Sequence, residues 1–162
     1  MALNSGKRFE ENWKKSIPED VFYYRLRDSS NTWSNGDKTR FTPSNICDCI
    51  IFDGEILFTL ELKSTKGKSL PYTNIKDHQI DDLKWCSEFA NVISGFVIEF
   101  DSIDECYFVE ISSFERFKQE SNRKSLPVDF CRKNGLKIDF KKLKVNRKFD
   151  INKFLQDVVD FI

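Results

Sequence analysis

The sequence lacks several features that mark particular classes of protein. It contains one histidine, and its five cysteines, at positions 47, 49, 86, 106 and 131, form no CxxC pair, which argues against a structural zinc site. No apolar run approaches the ~20 residues of a membrane span. The first residues show no apolar stretch of a secretory signal. We therefore expect reduced, mostly buried cysteines in a cytoplasmic protein with no membrane segment.

A net charge is also lacking, because 26 basic residues balance 26 acidic ones. The distribution along the chain is nevertheless uneven. Residues 116–148 hold twelve Lys or Arg against three Asp or Glu, whereas residues 80–115 hold one against nine. The basic segment 116–148 could follow a phosphate backbone. The alternative is an ordinary solvated face.

What the chain does contain is enough apolar material for a packed core, with 40% apolar and 14% aromatic residues. Its length predicts one domain over residues 1–162. Periodicity and breakers predict helices over residues 4–17, 75–90, 112–119 and 150–162, and strands over 21–26, 46–52, 56–62, 92–100 and 106–111. Residues 28–44 are predicted to form a short stalk-like or mobile loop, and residues 120–148 to be basic and irregular. The pattern is that of an α/β fold.

The two strands at 46–52 and 56–62 carry the most informative residues. Asp53-Gly54 predicts a tight hairpin between them, with positive φ at both positions. Asp48 lies in the first apolar strand, and Glu61 and Lys63 share one face of the second. A charge in an apolar strand is costly unless it is paired or bound to a metal.

Two carboxylates on adjacent strands suit Mg²⁺, which takes a few carboxylate ligands and keeps several waters. Asp48 and Glu61 are therefore candidate metal ligands, and the backbone carbonyl of Leu62 is a further one. Lys63 would orient a water or hold a phosphate. The alternative is an internal salt bridge between Glu61 and Lys63 on a partly exposed sheet face.

Other residues are candidates for contact with DNA. Trp33 lies in a polar loop with Lys38 and Arg40, where it would stack on an unpaired base or else fold back on the domain. The remaining candidates are the basic residues of two further loops and the single histidine: Lys66, Lys68, His78, Arg123 and Lys124.

Four motifs occur in a characteristic order: Gly6-Lys-Arg-Phe-Glu-Glu11, Asp48, Glu61-Leu-Lys63 and Asp77-His-Gln-Ile80. Together they resemble the PD-(D/E)XK nuclease superfamily, and more closely its RecU-type Holliday junction resolvases, over roughly residues 4–127. The Asp-His-Gln-Ile motif is the most discriminating. Cys47 stands where the superfamily often has proline, and the loop at 28–44 is shorter than the stalk of RecU-type proteins.

The resemblance implies a restriction-endonuclease-like mixed β-sheet flanked by helices. It implies a homodimeric endonuclease that depends on Mg²⁺, with Mn²⁺ as a substitute, and that makes paired nicks in four-way DNA junctions. Glu10 (or its neighbour Glu11), Asp48 and Glu61 match the metal ligands, and Lys63 and Gln79 match further catalytic positions. The alternatives are a nuclease of this superfamily acting on duplex or flapped DNA, and a non-catalytic nucleic-acid-binding module.

Overall fold

The computed structural model describes residues 4–27 and 44–162. The helices are α1 Ser5–Ser16, α2 Asp77–Ser87, α3 Ile111–Glu120, α4 Val128–Asn134 and α5 Ile151–Phe161. All but α4, which was not predicted, begin and end close to the predicted boundaries. Asn4 caps α1 by accepting a hydrogen bond from the Lys7 backbone N–H, as its short polar side chain allows. None of the described helices is long and apolar enough to cross a membrane.

The strands are β1 Phe22–Arg25, β2 Cys49–Phe52, β3 Leu57–Thr65, β4 Ser69–Pro71, β5 Val92–Phe100, β6 Glu105–Glu110, β7 Ser125–Pro127, β8 Leu136–Lys137, β9 Phe140–Lys142 and β10 Arg147–Phe149. Six of them form one sheet in the order β1-β2-β3-β5-β6-β8. β3 and β5 are parallel along their full length, from Leu57 beside Val92 to Thr65 beside Phe100. The other neighbours are antiparallel, so the sheet is mixed, as predicted.

The sheet separates two hydrophobic cores, because its central strands are apolar on both faces. On one face α1 and α5 cover the sheet, with Trp13 and Phe154 fully or almost fully buried. On the other face α2, α3 and α4 do so, with Leu83 and Phe114 fully buried. All five cysteines are buried and free, as predicted.

The prediction for the turn between β2 and β3 is wrong. The β2–β3 connection is not closed by Asp53-Gly54 with two positive φ angles: the strands pair up to Phe52 and Leu57, and only Gly54 in this connection has a positive φ, of 107°. The Asp53 carboxylate instead accepts hydrogen bonds from the N–H groups of the next residues, 55 and 56, which satisfies the turn from its side chain.

The predicted apolar face of the second helix is also wrong at its end. Trp85 and Phe89 are 53% and 51% exposed, and they pack edge to face on each other with ring centroids 5.1 Å apart. Residues 120–148 are not irregular either, since they contain β7, α4, β8 and β9. The strand β7 of this segment pairs with β4, which lies much earlier in the chain, and periodicity alone does not reveal such a long-range contact.

Candidate active site

Asp48 and Glu61 are brought together by the β2–β3 ladder. Asp48 precedes β2, but its N–H still donates to the Leu60 carbonyl at 3.1 Å, so the antiparallel pairing continues through it. Its carboxylate accepts a hydrogen bond of 2.8 Å from the backbone N–H of Leu62. This clamp fixes the Asp48 side chain beside Glu61.

Glu61 occupies an unfavourable place for a negative charge. Its side chain is 3% exposed. Burial, the charge of Asp48 and a side-chain hydrogen bond to Asp48 raise its pKa from 4.5 to about 7, although Lys63 opposes the rise. Two carboxyl groups in such contact cannot both be ionised at low cost, so they share either a proton or a cation.

Lys63 and Gln79 complete the cluster. The Lys63 ammonium lies 3.0 Å from a Glu61 oxygen and donates to the Gln79 side-chain carbonyl at 3.1 Å. The Gln79 amide N–H donates to Glu61, while its carbonyl also accepts from the Lys76 backbone N–H at 3.0 Å. Gln79 therefore ties the first turn of α2 to β3 and fixes the acid and the base relative to each other.

The salt bridge considered as the alternative reading of Glu61 and Lys63 is thus present. It does not lie on an exposed sheet face, however, since Lys63 is only 16% exposed and Asp48 is a further member of the cluster. An isolated structural ion pair would have no use for a second, half-buried acid, whose charge repels that of Glu61.

Glu10 approaches the same region from α1. It forms an ion pair with Arg25 at the end of β1. Glu10, Asp48 and Glu61 all act on the buried Cys49 thiol, where their negative charges raise its pKa together with burial. Glu11, by contrast, is exposed to solvent. Of the two adjacent acids, Glu10 is therefore the half-buried one that pairs with Arg25, and Glu11 faces solvent.

A cleft of about 190 Å³ opens onto this cluster. Asp48, Glu61 and Gln79 line it, together with His78, Lys76 and the residues at 44, 45 and 47. His78, the only histidine of the chain, therefore faces the same space as the carboxylates. The Leu62 carbonyl stays a predicted metal ligand, and the Leu62 N–H donates to the Asp48 carboxylate.

The donor set fits a hard divalent cation in part. Among residues 4–27 and 44–162, no group of three or more His, Cys, Asp or Glu side chains is arranged to hold a metal ion. Asp48 and Glu61 nevertheless provide two adjacent carboxyl groups whose mutual repulsion a cation would relieve. One or two carboxylates with retained waters is the usual protein share of a Mg²⁺ site.

The residues predicted to contact DNA are distributed over several places. Lys66 and Lys68 are exposed in the loop after β3, and Arg123 and Lys124 are exposed before β7. The two loops flank opposite ends of the β4–β7 pair, where Lys68 adjoins Val128 and Lys124 adjoins Tyr72. Three further predicted residues, Trp33, Lys38 and Arg40, lie outside the described residues, as does most of the loop 28–44.

Three of the twelve basic residues in the segment 116–148 form short ion pairs with acids of the protein itself. Arg132 pairs with Glu105 at 2.6 Å, Lys142 with Asp104 at 2.7 Å, and Arg147 is only 8% exposed. These acids belong to the acidic segment 80–115. The two segments of opposite charge therefore contact each other at these three residues, and the excess of basic residues overstates the free positive surface.

Two residues near the site were missed by the sequence reading. Arg25, which pairs with Glu10, is the last residue of an aromatic strand and carries no motif. Lys76 contributes through its backbone N–H, and its side chain lines the cleft. The glutamine three residues after Lys76, at a position where its side chain can accept from the N–H of the residue before the helix, is the one signal that could have indicated the second.

Comparison with known proteins identifies a sequence family and related proteins. Residues 14–154 match the sequence profile of the family described as "RecU: Recombination protein U". The SPbeta prophage-derived uncharacterized protein YotM of Bacillus subtilis is 31% identical over 174 residues, which cover 98% of this chain and 88% of that protein. The Holliday junction resolvase RecU of Staphylococcus aureus is 37% identical over 84 residues.

That second alignment covers 49% of this chain and 40% of the staphylococcal protein, so the chain matches less than half of its length. Among solved structures, the fold is similar to Archaeoglobus fulgidus Hjc, a Holliday junction resolvase from an archaeal hyperthermophile. The TM-score is 0.53 with 15% sequence identity, over 82% of this chain and 95% of Hjc. At this identity the likeness concerns the fold, and it confirms the predicted mixed sheet of the restriction-endonuclease-like class.

Proposed function

The chain belongs to the RecU family of recombination proteins, and from this premise we propose that it is a Mg²⁺-dependent endonuclease that resolves four-way DNA junctions. The observation that carries the proposal is the contact of the Glu61 and Asp48 carboxyl groups beside Lys63 in one cleft. Two acids and a lysine at this spacing supply what phosphodiester hydrolysis requires of a protein.

Asp48 and Glu61 would hold the cation. Glu10, which pairs with Arg25, would be a third carboxylate ligand. When bound, Mg²⁺ neutralises phosphate charge and makes a coordinated water more acidic. Lys63 then positions the scissile phosphate or the attacking water from its place beside Glu61. Gln79 holds Glu61 and Lys63 in register, so that neither side chain has to be ordered during the reaction.

The substrate and assembly form the finer part of the proposal. A four-way junction is cut symmetrically by two nicks, which requires two active sites and hence a homodimer. Mn²⁺ would substitute for Mg²⁺, because both accept oxygen ligands. Location in the cytoplasm remains a prediction from the sequence.

The proposal is tested by incubating the protein and Mg²⁺ with a four-way junction or with linear duplexes of the same sequence. We expect paired nicks in the junction only, with activity lost in Asp48→Asn and in Lys63→Ala. Glu11→Gln, a change to an exposed acid on the neighbouring helix, serves as the matched control and should cut normally. Equal cutting of duplex or flapped DNA would favour the nuclease alternative.

Binding without cutting at any Mg²⁺ or Mn²⁺ concentration would indicate a non-catalytic nucleic-acid-binding module. Light scattering tests the assembly, and a monomer under cleavage conditions would contradict paired cutting by a dimer. Trp33→Ala tests the loop outside the described residues: we expect this change to weaken junction binding more than it weakens duplex binding, and equal effects would remove Trp33 from the mechanism.

A further inference from the structure

The two strands β9 and β10 form a basic hairpin, residues 140–149, whose inner side is firmly fixed. Phe149 is 2% exposed and lies 5.4 Å from Trp13 between ring centroids. Arg147 is 8% exposed and donates to Glu99 at 2.8 Å and to Asp101 at 2.7 Å. Because both inner positions are anchored in the core, the hairpin is a rigid projection of the domain.

The outer side of the basic hairpin is, by contrast, unsatisfied. Lys141 and Lys148 stand directly opposite each other in the β9–β10 register, and both are exposed. Neither forms an ion pair with any residue of the described part of the chain. Like charges directly opposite each other destabilise a strand pair, so this arrangement lowers the stability of the isolated domain. A polyanion lying across the hairpin would reverse the sign of that effect.

The tip of the basic hairpin combines charge with exposed apolar side chains. Leu143 and Val145 are 46% and 76% exposed, and exposed Lys144 lies between them. The tip is closed by a hydrogen bond of 2.8 Å from the Leu143 N–H to the Asn146 carbonyl. Proteins that bind DNA use lysines for the phosphates and apolar side chains against sugars and base steps in the groove.

The inner side of the basic hairpin packs on the sheet face that α1 and α5 cover, whereas Glu61 and Lys63 contact Gln79 of α2 on the other face. Arg147 is bound to Asp101, which directly follows β5. The last residue of β5, Phe100, pairs with Thr65, two residues beyond Lys63 on β3. The basic hairpin is therefore attached beyond the carboxyl ends of β3 and β5, the ends of the strands that follow the cluster.

We propose that the basic hairpin is a second DNA contact, in which Lys141, Lys144 and Lys148 bind phosphates and Leu143 and Val145 enter a groove. The inference rests on the proposed function, since it takes the ligand of the cluster to be DNA. It assigns the contact to a small, rigid element. It gives no DNA contact to Arg132, Lys142 and Arg147, which are paired with acids of the protein itself.

The lysines are tested by salt dependence. Binding of a four-way junction is measured by fluorescence anisotropy in EDTA, over a series of salt concentrations, for wild type and for the triple variant Lys141→Gln, Lys144→Gln, Lys148→Gln. The slope of log K against log salt should become shallower by about 2 to 3, roughly one unit per lost phosphate contact. The control variant removes equal charge at exposed lysines elsewhere: Lys14→Gln, Lys133→Gln and Lys137→Gln.

The apolar tip is tested by Leu143→Ser with Val145→Ser. Affinity should fall about tenfold, which is less than full burial of two aliphatic side chains would provide, and the salt slope should not change. Val159→Ser, at a residue 50% exposed on α5, is the matched control. Thermal unfolding should be close to wild type in the tip variant, because neither tip side chain is buried.

The outcomes separate this inference from the proposed function. If the wild type cuts junctions but the hairpin variants bind with unchanged slope and affinity, or lose no more than the controls, the inference is wrong and the proposed function stands. If binding depends on the hairpin but no DNA is cut, the inference stands and the endonuclease proposal is wrong. If the wild type binds no DNA, both are overturned.

Discussion

Replacing Glu61 by glutamine should stabilise the metal-free protein while abolishing cleavage. Glutamine keeps the size and the acceptor that Gln79 uses, but it cannot become an anion in the buried site. The folded-state pKa of Glu61 is raised, so its contribution to folding is fully present below about pH 4.5 and is lost as the pH rises to about 7. Glu61→Gln removes that loss.

The size of the effect follows from the pKa. A rise from 4.5 to about 7 corresponds to about 3 kcal/mol of folding free energy once both states are ionised. For a chain of this length, each kcal/mol shifts Tm by about 2–4 °C. We therefore expect Glu61→Gln to raise Tm by roughly 6 to 12 °C at about pH 8 and to leave it almost unchanged near pH 4.5.

The assay is thermal unfolding in EDTA over this pH range, with Glu11→Gln as the control at an exposed carboxylate. Addition of Mg²⁺ at the higher pH should raise Tm of the wild type, since a ligand that binds only the folded state stabilises it. It should not raise Tm of Glu61→Gln. A stability gain that does not depend on pH, or equal Mg²⁺ responses in both proteins, would refute the reasoning.

Three further changes probe the framework of the site. Gln79→Ala should lower cleavage about 10- to 100-fold, as loss of outer-shell partners does, and should shift the pH–rate profile upward because Glu61 loses a donor to its charged form; an unchanged profile would argue for a purely structural role. Arg147→Met should destabilise the fold by about 3–5 kcal/mol by stranding the buried Glu99, and adding Glu99→Gln should restore much of the loss in urea unfolding. Gly95→Ala should lower the free energy of unfolding by about 1–3 kcal/mol, because the new Cβ would lie 2.4 Å from the backbone oxygen of Val109 in β6. The same change at Gly67, where a Cβ would meet only ordinary van der Waals contacts, should be nearly neutral in urea unfolding.

The sequence allowed the central part of the site to be predicted because the relevant information is local. Asp48 and Glu61 are brought together by consecutive strands, and an apolar strand that carries two charges is recognisable without a structure. The position of Gln79 came with the Asp-His-Gln-Ile motif and not from periodicity. Its exact contacts, with Glu61 and Lys63 at once, depend on how α2 docks against β3.

Features that depend on long-range pairing could not be predicted in this way. The ion pair of Arg25 with Glu10 joins β1 to α1, and nothing in either segment specifies the other. Residues 120–148 looked irregular because β7 finds its partner in β4, more than fifty positions earlier. The exposure of Trp85 has the same origin, since which side of α2 meets the sheet is decided by docking and not by the helix itself.

The count of charges along the chain overestimated the free positive surface of residues 116–148. A segment with nine surplus positive charges next to one with eight surplus negative charges suggests separate basic and acidic faces. In the fold the antiparallel and crossover connections bring them together, so that Arg147, Arg132 and Lys142 neutralise the acids at Glu99–Glu105. What remains positive is therefore determined by which lysines the fold leaves without acids. On the basic hairpin these are the outward-facing Lys141 and Lys148, whose like charges stand face to face; the DNA contact proposed above would give both of them a partner.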